Sequence, residues 1–118
     1  MSHQHEKINY VEYPACNLAS TKQFFSDVFG WVFTDYGPDY TAFNHQGIEG
    51  GFYKSNLQSN ADEGAALIVF YSDDLGHTYQ KITSNGGAIK TEIFDFPGGK
   101  RFHFTCPSGN EFAVWSYA

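Results

Sequence analysis

The sequence predicts an α+β domain built from two βαβββ modules, and three observations carry that prediction. First, the two halves align when offset by 57 residues: Asn17-Leu18 falls on Asp74-Leu75, Thr21 on Thr78, Phe25 on Ile82 and Gly30 on Gly87. A helix cap, an inner stripe and a terminator therefore recur in one order, which points to a duplicated unit. Second, the chain holds 12 Phe and 8 Tyr among 118 residues, and rings in strand-length runs suit a pleated, half-buried surface. Third, the stretch Lys100 to Tyr117 (KRFHFTCPSGNEFAVWSY) places two apolar runs around Pro107-Ser108-Gly109-Asn110, the pattern of a β-hairpin.

Taken in order, residues 1–7 read as a polar tail in which the alternate His3 and His5 are more simply solvated than metal-bound. The first module spans 8–54. Ile8 to Pro14 (INYVEYP) is a strand by its β-branched and aromatic content. Asn17 caps a helix whose Leu18, Thr21, Phe25, Val28 and Phe29 recur at spacings of three and four, and Gly30 ends it. Strands follow at Trp31 to Tyr36, Tyr40 to Asn44 and Ile48 to Lys54, separated by Gly37-Pro38-Asp39 and His45-Gln46-Gly47. The polar segment 55–64 is a surface linker.

The second module spans 65–118. Ala65 to Ser72 is an apolar strand; Asp73 or Asp74 caps a helix with Leu75, Thr78, Tyr79 and Ile82 inward; Gly86-Gly87 stops it. Ala88 to Phe94 is a strand, Asp95 to Gly99 a loop, and the hairpin closes the chain. Alternation along the hairpin sets Phe102, Phe104 and Cys106 against Arg101, His103 and Thr105, and sets Phe112 and Val114 against Glu111, Ala113 and Trp115. One face is apolar enough to meet a helix. The other carries a guanidinium, an imidazole and an indole, and forms one wall of the expected site.

Composition excludes several function classes. A net charge of −6 opposes nucleic acid and anionic membrane as partners, leaving a small neutral or cationic molecule as the better match. No run is long and apolar enough to cross a bilayer. Cys16 and Cys106 are too few for a disulfide scaffold, and reduced thiols in the cytoplasm are expected. No Gly-rich phosphate loop follows a strand, and no Ser-centred nucleophile elbow occurs.

In its order of motifs the chain resembles the vicinal oxygen chelate superfamily, which includes glyoxalases, extradiol dioxygenases and bleomycin-resistance proteins. The carrying residues are Ile8 to Pro14, the Phe24-Phe25 to Val28-Phe29-Gly30-Trp31 helix end, Gly50-Gly51, Asp74-Leu75 with Gly86-Gly87, and Cys106-Pro107-Ser108-Gly109-Asn110. The resemblance implies the glyoxalase/bleomycin-resistance/dihydroxybiphenyl dioxygenase-like fold, in which two modules form a cupped mixed sheet, and it implies a homodimer. It also implies four metal-ligand positions, which fall here on Tyr10, on Gly50 or Gly51, on Leu67 and on Ala113. None is a His or a carboxylate, the donors that divalent metals take. No cofactor is therefore expected, although a divalent metal at another position stays open. Many relatives carry Asp-Pro where this chain has Cys106-Pro107.

The residues expected to line the cup are Tyr10, Glu12, Leu67, Arg101, His103 and Trp115. His103 could act as a general acid or base, or merely hydrogen-bond within a polar cleft. Arg101 could hold a ligand carboxylate or be a solvated strand-end charge. Glu12 shares a face with Tyr10 and could serve as a base, receive a cation, or pair with Arg101. Tyr10 and Trp115 offer rings for stacking or for ordinary packing, and Leu67 adds apolar wall. His45 and Glu49 sit at a turn, where solvation is the simpler fate. The expected function is metal-independent binding of a small cationic or aromatic molecule in a dimer cleft; the alternative is a lyase, isomerase or dioxygenase using His103 and Glu12.

Overall fold

In the computed structural model, which describes residues 3–117, each half of the chain lays down a strand, a helix and three further strands. The first module contains β1 (Tyr10–Ala15), α1 (Leu18–Phe29), β2 (Phe33–Asp35), β3 (Tyr40–Phe43) and β4 (Glu49–Lys54). A single 3-10 turn (Ala61–Glu63) follows, then β5 (Ile68–Tyr71), α2 (Leu75–Ser84), β6 (Ala88–Phe96), β7 (Gly99–Thr105) and β8 (Glu111–Ser116). Two four-stranded sheets result, ordered β1-β4-β3-β2 and β5-β8-β7-β6. Each opens with a parallel pair, Val11 opposite Gly50 in one and Ile68 opposite Phe112 in the other. The architecture is the two βαβββ modules that the offset predicts.

The helices start as the repeat requires. Asn17 Oδ1 accepts from the Ser20 amide at 3.0 Å, and Asp74 Oδ1 accepts from the His77 amide at 3.1 Å, satisfying donors that a first helical turn leaves free. Asp74 is thus the cap, while Asp73 accepts from the Tyr71 hydroxyl. Gly30 ends α1 with φ 73°, a left-handed conformation that favours glycine. Asn85 caps the end of α2, and Gly86 follows at φ 97°.

Alternation decides which face of each sheet is buried. Tyr13, Ala15, Phe43 and Phe52 of the first sheet and Phe102, Phe104, Phe112 and Val114 of the second all enter one core with Phe24, Phe25, Leu75 and Ile82 of the helices. Rings from both modules touch directly: Tyr13 and Phe112 have centroids 4.9 Å apart, and Phe29 and Phe70 stack at 4.4 Å. Burying each such side chain stabilises by roughly 1.5–3 kcal/mol. Because the two inner faces share this core, the remaining two faces point away from it. They carry Tyr10, Glu12, Tyr40 and Gly51 on one side and Arg101, His103, Ala113 and Trp115 on the other.

Several boundaries differ from the sequence expectation. Ile8 lies outside β1 and is 89% exposed. Trp31 is not in a strand; its indole is buried against Phe25 and Phe43. The strand expected over Ala65 to Ser72 shortens to β5, leaving Leu67 just before it. The loop expected at Asp95 to Gly99 is a hairpin instead: β6 runs through Phe96, turns at Pro97-Gly98, and Lys100 Nζ meets Asp95 Oδ1 across it.

The polar segment 55–64 is more than a surface connection. The Ser59 amide donates to Asn110 Oδ1 at 2.9 Å, and the Glu111 amide donates to the Ser59 carbonyl at 2.8 Å. Asn110, fully buried, also donates from Nδ2 to the Pro14 carbonyl at 2.7 Å, and Ser108 Oγ bonds Thr21 Oγ1 at 2.6 Å. The Pro-Ser-Gly-Asn turn therefore ties β1, α1 and the linker together. Among the described residues no helix is long and apolar enough to cross a membrane.

Candidate functional site

On the outer face of the second sheet, Arg101, His103 and Trp115 come together. Arg101 stands opposite Trp115, and His103 opposite Ala113. His103 Nδ1 lies 2.8 Å from Glu111 Oε2, and His103 Nε2 lies 3.0 Å from Arg101 Nη2. A guanidinium only donates and a carboxylate only accepts. The two hydrogen bonds together require the proton on Nδ1 toward Glu111 and the Nε2 lone pair toward Arg101.

Glu111 anchors this row. Its carboxylate is almost wholly buried, with Oε1 accepting from Lys90 Nζ and from the Ala61 amide, each at 2.9 Å. Burial alone would raise its pKa, but the hydrogen bonds from His103, Lys90 and Ala61 outweigh it and hold the carboxyl down at about 2. Lys90 is raised in turn, first by its bond to Glu111 and then by Asp62.

Arg101 has a different situation. Its guanidinium sits over the rings of Phe94 and Phe96, at 5.9 and 5.8 Å from their centroids. Its Nε is buried and has no hydrogen-bond partner among the described residues. An unmet buried donor costs on the order of 1–3 kcal/mol. The side chain lines a groove of about 340 Å³ with Val69, Phe96, Gly98, Trp115 and Tyr117. Trp115 meets Tyr71 and Tyr117 edge-on at 5.1 and 4.8 Å, so an aromatic wall faces the guanidinium.

Tyr10 and Glu12 occupy the outer face of the first sheet, apart from that group. Tyr10 Oη lies 2.6 Å from Tyr40 Oη, and the Tyr40 hydroxyl donates to Glu12 Oε2 at 2.9 Å. Glu12 thus meets Tyr40 rather than Arg101 within one chain. Burial, followed by its bonds to Tyr10 and Glu12, raises the Tyr40 phenol. The Tyr40 ring lies over Gly51: a Cβ there would stand 2.2 Å from its hydroxyl. Beside this cluster a groove of about 270 Å³ is lined by Tyr10, Thr34, Tyr36, Ala42 and Glu49.

Leu67 belongs to neither cluster. It borders a cavity of about 630 Å³ lined from both modules, by Val11, Tyr13, Phe43, Val69, Phe70 and Tyr71 among others, and no charged residue lines that cavity. His45 adopts φ 64° at the turn before β4, consistent with its reading as a turn residue. His5 reaches Glu6 at 3.0 Å, both well exposed. Cys16 is an exposed free thiol; Cys106 is buried, and that burial raises it.

The four positions at which the resemblance implies metal ligands are held by a phenol at Tyr10, an isobutyl at Leu67, a methyl at Ala113 and, on the same face as Tyr10, the bare Gly51. Tyr40 fills the space that a side chain at Gly51 would need. Among the described residues no three His, Cys, Asp or Glu side chains are grouped closely enough to hold an ion. These residues do not fit a divalent metal.

Sequence reasoning missed Tyr40 and Lys90, and it placed Glu111 on the mixed face without a role. The signal for Tyr40 was available: a glycine in the neighbouring strand beside a large aromatic implies close approach over a missing side chain.

Known proteins give the same architecture a context. No curated protein matches the sequence. Similar solved structures include a glyoxalase-related enzyme from Fulvimarina pelagi, at TM-score 0.77 and 12% identity, covering 94% of this chain and 88% of that one. A lactoylglutathione lyase from Agrobacterium tumefaciens aligns at TM-score 0.70 and 19% identity, covering 94% and 93%. A glyoxalase/bleomycin resistance protein/dioxygenase family enzyme from Burkholderia phytofirmans aligns at TM-score 0.74 and 14% identity, covering 93% and 98%. Such identities speak for the fold alone. The family described as the Glyoxalase/Bleomycin resistance protein/Dioxygenase superfamily matches residues 7–114, and the chain belongs to it.

Proposed function

We propose that this chain binds a small aromatic or cationic molecule, without a metal, in clefts that a second copy completes. One observation carries the reading: two ring-rich, charge-bearing faces lie on opposite sides of a shared core, each half-exposed. Tyr10, Val69 and Tyr71 are 41%, 42% and 50% exposed, and a facing sheet would cover them. Apposing the first-module face of one copy to the second-module face of another brings Tyr10, Glu12, Arg101, His103 and Trp115 around one cavity. Glu12 and the net charge of −6 favour a cationic group, and the rings favour a flat body.

Complementation tests this. A variant with Glu12→Ala and Tyr40→Ala is mixed with one carrying Trp115→Ala, and binding of tryptamine, benzylamine and indole is followed by calorimetry. Each variant alone binds weakly, and an equimolar mixture recovers binding at about a quarter of the wild-type stoichiometry, because random exchange makes about half the dimers mixed and each mixed dimer holds one intact cleft of its two. A mixture no better than its parts, or a monomer by light scattering at micromolar concentration, contradicts the reading.

The Glu111–His103 pair favours a second reading, a lyase or isomerase, because an oriented imidazole is the usual general base. Its Nε2 lone pair is engaged by Arg101, however, so a substrate would first have to displace the guanidinium. Turnover of an α-oxo thiol adduct that is lost in His103→Gln would favour this second reading.

A further inference from the structure

Arg101 is a cation built into an aromatic setting with donor capacity left over. Its guanidinium lies over the rings of Phe94 and Phe96, and His103 Nε2 takes one Nη2 hydrogen at 3.0 Å. The imidazole is itself fixed by Glu111 at 2.8 Å. Nε is buried with no acceptor. The carboxylate that could neutralise Arg101, Glu111, has its oxygens engaged by Lys90, Ala61 and His103. No ion pair among the described residues includes Arg101.

We infer that the groove between Arg101 and Trp115 takes the oxyanion of a flat aromatic acid, its oxygens on the guanidinium and its ring against Trp115, Phe96 and Tyr117. This deepens the proposed function and rests on its claim that the second-module face is a binding wall. A planar fork matches a carboxylate or phosphate oxygen pair, and the His103 hydrogen bond with the flanking rings holds that fork in place before the ligand arrives. The groove, about 340 Å³, lies at the lower end of the usual size for a small-molecule site, and Arg101 is the sole charged residue lining it. Joined with Glu12 from the facing module, the cleft would suit a zwitterion: an aromatic body with an acid at one end and an amine at the other.

Titration of the folded protein with 2-naphthoate, 2-naphthyl phosphate, neutral 2-naphthamide and cationic 2-naphthylmethylamine tests the inference. The indole N–H signals of Trp31 and Trp115 are followed by NMR. The expected result is that naphthoate or naphthyl phosphate binds at least tenfold tighter than the amide, shifting Trp115 and leaving the buried Trp31 in place. Whichever of the two binds tighter identifies the oxyanion. Arg101→Gln should erase the preference, and Arg101→Lys should restore part of it. An unchanged Trp31 signal certifies that these variants are folded. Equal binding of acid and amide overturns the inference while leaving the aromatic-binding reading standing, as it would if a carboxylate of the second copy already occupied Arg101. Failure of all four probes to move Trp115 overturns both.

Discussion

The outer faces of the two modules are built on the same scaffold and spend their polar groups differently. Register makes the positions equivalent: Tyr40 stands opposite Tyr53 as Arg101 stands opposite Trp115, and Ala42 opposite Gly51 as His103 opposite Ala113. Glu12 pairs with Gly51 as Val69 pairs with Ala113. In the first module the polar groups close on one another, since Tyr10, Tyr40 and Glu12 form a chain at 2.6 and 2.9 Å. In the second, Glu111 collects Lys90, Ala61 and His103, and the row ends on an Arg101 with an unmet donor. A duplicated architecture thus holds one face whose polar groups bond one another and one face whose row ends on an unmet donor.

The largest way to break this symmetry is at the two equivalent glutamates. Glu111→Ala leaves Lys90 and His103 without their carboxylate and is expected to cost about 3 kcal/mol in urea unfolding, whereas Glu49→Ala should stay within about 0.5 kcal/mol. The same contrast has a pH signature. Glu111 has its pKa lowered from an ordinary 4.5 to about 2, so its stabilisation is present above pH 4.5 and is lost as pH falls through that interval. Thermal unfolding between pH 5 and 2 should therefore be steeper in the wild type than in Glu111→Gln; equal slopes would contradict the buried row.

Smaller effects sharpen the first-module side. Gly51→Ala puts a methyl where the Tyr40 hydroxyl lies and should cost about 1–3 kcal/mol by overpacking, while the equivalent Ala113→Gly should cost about 0.5–1 kcal/mol through backbone entropy. Tyr40→Phe removes the hydroxyl that bridges Tyr10 and Glu12. It should lower stability by about 1 kcal/mol, read as a shift in urea midpoint, with the second-module groove unaltered.

The legible parts of the molecule were those governed by short periods. The stripe Thr21, Phe25, Val28 and the cap Asn17 gave α1, and strict alternation placed Arg101, His103 and Trp115 on one face. Features set by distant partners were not legible. Glu111 finds Lys90 across 21 residues and Ala61 across 50, and Asn110 finds Pro14 across 96; no local pattern encodes those distances. The strand through Leu67 failed for a different reason. Ala65-Ala66-Leu67 is apolar enough to read as strand, yet pairing with β8 begins only at Ile68 opposite Phe112. Leu67 then turns to the cavity between modules.

The most direct measurement is native mass spectrometry of the protein after exhaustive chelation, with and without tryptamine and 2-naphthoate. The expected result is a particle of twice 13.3 kDa that takes up two aromatic ligands with no metal restored. A particle of single-chain mass at micromolar concentration, or uptake only after a divalent metal is restored, would contradict it.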